Sequence, residues 1–130
     1  MVSIKEVNGL KKIFNVRDDM LLTHLMLIHP NLLIMFSDFT AWAYKRNLPV
    51  EIVRIIDEKI PGVSVSDTHK EGRAIDLSVH GWDTASIVEA ERYFCLKYKD
   101  VGAISYSDGI PRALVFHEGV GWHFHMQVRR

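Results

Sequence analysis

Histidine and carboxylate side chains are concentrated in two short segments, residues 67–76 (Asp-Thr-His-Lys-Glu-Gly-Arg-Ala-Ile-Asp) and residues 117–125 (His-Glu-Gly-Val-Gly-Trp-His-Phe-His). A catalytic zinc site needs three protein ligands of the histidine or carboxylate type and one open position for water. The chain has a single cysteine, Cys95, so it cannot form an internal disulfide or a site with several thiolate ligands. If the chain binds a metal, histidine and carboxylate therefore supply most of the ligands.

Alternation along two predicted strands would bring these side chains to one face of a sheet. Residues 74–79 alternate between polar and apolar positions, which places Asp76 on the polar side of a half-buried strand. The last predicted strand of the chain places His123 and His125 on its polar side. Its core-facing residues are then Trp122, Phe124, Met126 and Val128. If the two strands are neighbours, their polar faces converge, and His69 can reach them from the loop before the first strand.

Each of these residues also has an ordinary structural explanation. A single histidine in a loop is usually a surface residue, and an aspartate on a polar strand face is usually solvated. A fold without a metal, in which the histidines only satisfy hydrogen bonds, predicts no bound metal and no loss of stability with a chelator. The combination of the two segments, rather than any one residue, favours a metal site.

The N-terminal part of the chain is predicted to be mainly helical. Asp18 or Asp19 is expected to cap a first helix, and Pro30 to begin a second one that ends before Pro49. The apolar positions expected to be buried by this second helix include Leu33, Phe36 and Ala43. Residues 49–56 are rich in Val and Ile and are predicted to form a strand, with a short helix as the alternative.

The C-terminal part is predicted to contain one helix and two further strands besides the alternating ones. Asp83 can cap a helix over residues 84–99. Residues 101–106 and 113–117 have strand composition, and residues 107–111 (Ser-Asp-Gly-Ile-Pro) between them form a good turn sequence. Trp82 is expected to pack in the core, although its position would also allow it to line a groove.

The expected fold class is α+β, with helices packed on a small, mostly antiparallel sheet. The chain of 130 residues fits one domain, in which residues 1–48 are mainly helical and residues 49–128 carry the sheet and the metal-binding motifs. Hydrophobic residues make up 48% and charged residues 25% of the chain, so an ordinary globular core is expected.

Charge and hydropathy argue against a nucleic-acid partner and against membrane insertion. Sixteen basic and sixteen acidic residues cancel, whereas DNA-binding domains usually carry a basic excess. The N-terminus lacks the apolar run of a signal peptide, and the most apolar stretch, residues 20–36, is interrupted by polar residues and a proline. The protein is therefore expected to be cytoplasmic on synthesis. The sequence leaves its oligomeric state open.

The two segments resemble the motifs of a known peptidase superfamily. The stretch from His69 to Asp76 resembles the His-x-x-Gly-x-Ala-x-Asp motif of the D-alanyl-D-alanine carboxypeptidase and L-alanyl-D-glutamate endopeptidase group. It is closer still to the hedgehog signalling domain, which shares the fold and a Glu-Gly-Arg-Ala run. The second motif of the superfamily, His-x-His, is similar to His123-Phe-His125. The resemblance covers about residues 50–128 and implies the hedgehog/DD-peptidase fold.

The resemblance implies a zinc ion (Zn2+) as cofactor, with His69, Asp76 and His125 as its ligands. It implies that His123 lies beside the metal, where it orients the substrate or stabilises the tetrahedral intermediate. Two arginines are candidates for binding a carboxylate of the substrate. They are Arg73, for which a structural ion pair is an equal alternative, and Arg54.

The sequence departs from the pattern of the superfamily at the position of the general base. Many peptidases of the group have a carboxylate three residues before the last ligand, where this chain has Trp122. The nearest carboxylate is Glu118, seven residues before His125. We expect Glu118 to be the general base, with His123 as the alternative.

The implied function is zinc-dependent hydrolysis of an amide bond in peptidoglycan stem peptides, as carboxypeptidase or endopeptidase. Such a chain is similar to phage endolysins and other cell-wall hydrolases, which must be released or delivered to reach the wall. The first alternative is a hedgehog-like binding module that keeps zinc without peptidase activity. The second is a metal-dependent nuclease, against which the neutral charge argues.

Overall fold

The structure, a computed structural model, describes residues 26–55, 71–104, 108–118 and 121–130. The expected ligand His69 and the predicted helix caps Asp18 and Asp19 lie outside these ranges. No helix in the described part of the chain is long and apolar enough to cross a membrane.

The described residues form two helices and six short strands. The helices are α1 (Pro30–Lys45) and α2 (Thr84–Lys97), and the strands are β1 (Ile52–Arg54), β2 (Ala74–Ser78), β3 (Ala103–Ile104), β4 (Pro111–Arg112), β5 (Leu114–His117) and β6 (His123–Gln127). One antiparallel sheet has the strand order β1-β2-β6-β5, and β3 pairs with β4 in a second, two-stranded sheet. The predicted α+β class with a small antiparallel sheet is confirmed.

Helix α1 presents one apolar stripe to the core. Its N-cap is His29, whose Nδ1 accepts a hydrogen bond from the backbone N–H of Asn31 (3.1 Å), and Pro30 occupies the first turn. The buried residues of α1 are Leu32, Met35, Phe36, Phe39, Trp42 and Ala43. They recur every three or four positions, as one face of a helix requires.

The prediction that Leu33 is buried is wrong, because its side chain is 39% exposed. Leu33 lies about 100° around the helix from Leu32, so only one of the two can face the core. Composition alone could not distinguish them, since α1 is apolar on much of its circumference.

Aromatic rings form the centre of the core between α1, α2 and β6. The ring of Phe39 lies 5.3 Å from Phe94, 5.8 Å from Phe124 and 5.7 Å from Trp82. The Trp82 indole N–H donates to the backbone oxygen of Pro49 (2.7 Å), which satisfies its polar atom. Trp82 is partly buried and packs against the core, so its expected core position is confirmed in part.

Helix α2 begins at its predicted cap and ends two residues earlier than expected. The Asp83 carboxylate accepts from the backbone N–H (3.1 Å) and the hydroxyl (2.6 Å) of Ser86, and these bonds hold the pKa of Asp83 below its ordinary value. At the other end, Lys97 and the Tyr98 hydroxyl both donate to Asp38 of α1, at 2.6 and 2.7 Å. Burial and this bond to Asp38 raise the pKa of Tyr98 to about 12, so the hydroxyl stays protonated and links the two helices.

The turn sequence around residue 109 joins different strands from those predicted. The strand that pairs with β3 is the short β4, whereas residues 114–117 form β5 and pair with β6. The Asp108 carboxylate accepts from the backbone N–H of Ile110 and from Arg112, which places the turn before Pro111. The strand predicted over residues 113–117 is thus present, but in the larger sheet.

The predicted alternation is confirmed within β6 but not at Trp122, which lies before it. Its core-facing residues Phe124 and Met126 are fully buried, and Val128, just beyond the strand, is buried as well. Trp122 was expected to face the core, and this prediction is wrong, because it is 64% exposed. It precedes the strand and packs edge-on against Phe116, at 5.9 Å between ring centroids.

Leu32 and Leu33 provide a matched test of how α1 faces the core. Truncating Leu32 to alanine should lower the free energy of unfolding by about 2–5 kcal/mol, because it empties a fully buried position. The same change at the half-exposed Leu33 should cost less than about 1 kcal/mol. Urea denaturation of both variants measures the difference. Equal losses would show that this orientation of α1 is wrong.

Candidate metal centre

The register of three strands brings the predicted site residues together. In the β2–β6 pair, Asp76 lies directly opposite His125, and Ser78 lies opposite His123. In the β5–β6 pair, His117 lies opposite His123. Residues directly opposite each other in an antiparallel pair project from the same face of the sheet. The expected convergence of the two polar faces is therefore present.

The Asp76 carboxylate lies between two histidines and uses a different oxygen towards each. Its Oδ1 is 2.8 Å from Nδ1 of His125, and its Oδ2 is 3.9 Å from Nε2 of His123. Asp76 is 6% and His125 9% exposed, and these two are the buried polar residues of the described chain. An ionised carboxylate removed from water costs several kcal/mol unless it is paired or binds a metal. Its hydrogen bond with His125 is therefore part of what allows the carboxylate to be buried.

The remaining ring nitrogens of the two histidines face oxygens that only accept hydrogen bonds. Nδ1 of His123 lies 2.7 Å from the backbone oxygen of Gly121, and Nε2 of His125 lies 3.0 Å from Oε1 of Gln127. The amide nitrogen of Gln127 fixes the orientation of the amide group, because Nε2 donates to the backbone oxygen of Arg112 (3.0 Å). Each imidazole is thus held in a defined orientation.

His117 is a member of this cluster that the sequence analysis did not select. Its ring centroid lies 5.2 Å from that of His123 and 5.7 Å from that of His125. Burial lowers the pKa of His117, and the neighbouring His125 and His123 lower it further. The sequence could have indicated through strand alternation which face of the predicted strand 113–117 carries His117, because alternate residues share a face. Its pairing with His123 could not be read without knowing the strand order.

The side chains of this cluster agree in part with the ligands of a zinc site. Imidazole nitrogen and carboxylate oxygen are preferred zinc ligands, and Asp76, His123 and His125 supply both types. Among the residues that the structure describes, no group of three or more His, Cys, Asp or Glu side chains is arranged so that it could hold a metal ion. The third ligand that the resemblance implies, His69, is not in this part of the chain. The described residues therefore fit as a partial site.

The backbone before β2 turns sharply at Gly72. Its φ is +69°, in the left-handed region that favours glycine, and its backbone oxygen accepts from the N–H of His29 (2.9 Å). This bond connects the start of α1 to the segment that leads into Asp76.

The two candidate arginines occupy different positions. Arg73 pairs with Glu71 (2.6 Å) and donates to the backbone oxygen of Val128 (2.8 Å), which is the structural role considered for it as an alternative. Hydrogen bonds from Arg130 and Arg73 lower the pKa of Glu71 to about 2. Arg54 is exposed and lies opposite Asp76 in the β1–β2 pair, on the same face as the histidines.

Glu118, the expected general base, lies just beyond the end of β5. It is exposed, and it directly follows His117, whose ring is in the histidine cluster. Continued alternation would place residue 118 on the core side with Leu114 and Phe116. The chain instead leaves the strand here, so the direction of Glu118 depends on the loop that leads to Gly121.

Comparison of the chain with protein-family models, with curated proteins and with solved structures found no match. The resemblance to the zinc peptidase superfamily therefore depends on the two motifs themselves. The observed geometry adds that Asp76 of the first motif lies opposite His125 of the second.

Proposed function

We propose that this protein is a zinc-dependent peptidase that hydrolyses an amide bond in the stem peptides of peptidoglycan. The observation that carries the proposal is the buried Asp76 carboxylate, which lies in register with His125 and within 4 Å of His123. A buried carboxylate between two imidazoles, on the polar face of a small sheet, is an arrangement suited to a divalent cation. The stem-peptide substrate and the hedgehog/DD-peptidase fold come from the resemblance of the motifs.

Three residues hold the ion in this proposal. They are Asp76, His69 and one histidine of the His123-Phe-His125 pair, which the resemblance assigns as His125. A zinc ion bound there supplies a Lewis acid that activates water and polarises the scissile carbonyl. Three protein ligands leave one coordination position open, as a catalytic site requires.

The other functional groups in this proposal are Glu118, Arg54 and Trp122. Glu118 accepts a proton from the attacking water and donates it to the leaving amine. Arg54, opposite Asp76, binds a carboxylate of the peptide, because a guanidinium can hold a carboxylate through two hydrogen bonds. The exposed indole of Trp122, beside His123 in the sequence, provides an apolar surface against which a peptide can pack.

Metal content tests the proposed centre. The wild-type protein should bind about one zinc ion per chain, and His69→Ala and Asp76→Ala should each lose it, because each removes a ligand from a three-ligand site. Elemental analysis after dialysis measures the content. His80→Ala is the matched control, since this exposed histidine follows β2 and should not affect binding. Full zinc retention in Asp76→Ala would contradict the proposed site.

Glu118→Gln tests the general base. Peptide release from purified peptidoglycan should fall roughly 100-fold or more, the usual contribution of a general base, while zinc content stays unchanged. Glu89→Gln is the control, because Glu89 is an exposed carboxylate on α2 that pairs with Arg46 (3.5 Å). Unchanged hydrolysis by Glu118→Gln would remove Glu118 from the mechanism.

A second function, a zinc-containing binding module without peptidase activity, is favoured by one observation. Glu118 is exposed and lies one residue beyond the strand that carries the site, so a metal could be retained without a base next to it. Zinc-loaded protein that releases no peptide from any type of cell wall, yet binds wall fragments in a zinc-dependent way, would establish this function.

A further inference from the structure

We infer that Glu91 of α2 is a positioning residue for the proposed reaction, because it binds the outer edge of β5 and holds the strand end from which Glu118 extends. The contact joins Oε2 of Glu91 to the backbone N–H of Phe116, at 2.8 Å. The inference rests on the proposed function. Its geometry lies on the edge of β5 that faces away from β6.

Strand β5 is the last strand of the four-stranded sheet, so only one of its edges pairs with another strand of that sheet. The N–H of Gln127 donates to the backbone oxygen of Ala113 (2.8 Å), immediately before β5 begins. In an antiparallel pair, residues whose backbone groups bond the neighbouring strand alternate with residues whose groups face away from it. Leu114 and Phe116 therefore direct their backbone groups away from β6.

Two side chains of α2 bind these outward backbone groups. The Phe116 N–H donates to Glu91, and the thiol of Cys95 donates to the backbone oxygen of Leu114 (3.0 Å). Glu91 and Cys95 are four positions apart, so they lie on the same side of the helix. A carboxylate is a strong acceptor and a thiol a weak donor, so the Glu91 bond is the stronger of the two. The helix thus takes the place of a fifth strand along this edge.

The position of Glu91 on α2 is explained by this bond. Ile87 and Phe94 form part of the buried stripe of the helix, and Glu91 lies about 40° around the helix from Ile87. Glu91 is itself partly buried. A carboxylate withdrawn from water costs free energy unless it accepts hydrogen bonds. The N–H of Phe116 supplies such a bond at the border of the apolar stripe.

The bond is adjacent to the site residues that β5 carries. His117, the next residue, lies opposite His123, and Glu118 follows where the chain leaves the strand. Because β5 has only four residues, few ladder bonds hold its end, and a bond on the other edge restricts it further. A general base must lie within hydrogen-bond reach of its proton. A shift of this strand end should therefore lower kcat rather than weaken substrate binding.

Three substitutions at Glu91 separate the hydrogen bond from the charge. Glu91→Gln keeps an acceptor oxygen at the same reach, Glu91→Asp keeps the charge on a side chain one methylene shorter, and Glu91→Ala removes both. On soluble peptidoglycan fragments, kcat of the Ala and Asp variants should fall roughly 10-fold or more, with KM and zinc content unchanged. Glu91→Gln should retain most of the wild-type kcat.

Glu89→Ala is the matched control, since Glu89 lies on the same helix but pairs with Arg46. Urea denaturation measures the stability of every variant. A purely structural role of Glu91 predicts a lower stability of Glu91→Ala without a lower kcat of the folded protein. If Glu91→Ala does not fold, the comparison of Glu91→Asp with Glu91→Gln decides.

A double substitution tests whether Glu91 acts through the proposed general base. Glu91→Ala should cause little further loss of kcat in the Glu118→Gln background, because the effects of residues that act as one unit are not additive. Independent roles would lower kcat by the same factor in both backgrounds.

Hydrogen exchange measured by NMR gives a readout that does not depend on activity. The amide of Phe116 should exchange roughly 10-fold faster or more in Glu91→Ala than in the wild type, because it loses a hydrogen bond to a charged group. The amide of Gln127, which is bonded to Ala113, should keep its exchange rate.

The outcomes separate this inference from the proposed function. An active wild type whose kcat is unchanged by Glu91→Ala, or is lowered independently of Glu118→Gln, overturns the inference and leaves the proposed function in place. A Glu91→Asp variant as active as the wild type, or unchanged exchange at Phe116, also overturns it. A wild-type protein that releases no peptide overturns the proposed function, and the positioning role with it.

Discussion

The antiparallel pairing of β2 with β6 is the constraint on which the candidate site depends. These strands lie in the middle of the four-stranded sheet, and their register sets Asp76 opposite His125 and Ser78 opposite His123. A shift by one residue would turn all polar side chains of one strand into the aromatic core. The apolar residues on the other face of the same strands prevent that shift, because Phe124 and Met126 are fully buried. Core packing and site assembly are thus two consequences of one register.

The energetic problem of this arrangement is the buried carboxylate. Asp76 is nine-tenths or more covered on a sheet whose other face is apolar, and its two oxygens are directed at two histidines. The imidazoles are themselves held by Gly121 and Gln127, so the polar groups form a connected network rather than isolated pairs. Such a network has little freedom to relax.

Sequence patterns predicted those parts of the fold that depend on local periodicity. The alternation of β2 and β6, the cap at Asp83 and the start of α1 at Pro30 each follow from residue types a few positions apart. The place of His117 in the cluster was missed because it depends on the pairing of β5 with β6. That pairing sets His117 opposite His123, and the alternation within either strand does not reveal it. Leu33 and Trp122 were assigned to the core because they are apolar, but the exposure of Leu33 depends on its angle around α1, and that of Trp122 on its position before the start of β6. The spacing of His123 and His125 predicts that they share one face, but it does not predict their hydrogen-bond partners, Gly121 and Gln127.

Anomalous diffraction from crystals of the zinc-loaded protein tests the central claim most directly, because it locates the ion rather than its effects. The account predicts one strong zinc peak on the β2–β6 face, within bonding distance of an Asp76 oxygen and a histidine nitrogen of β6. A fully bound zinc ion located away from Asp76, or crystals without bound zinc after loading, would contradict it.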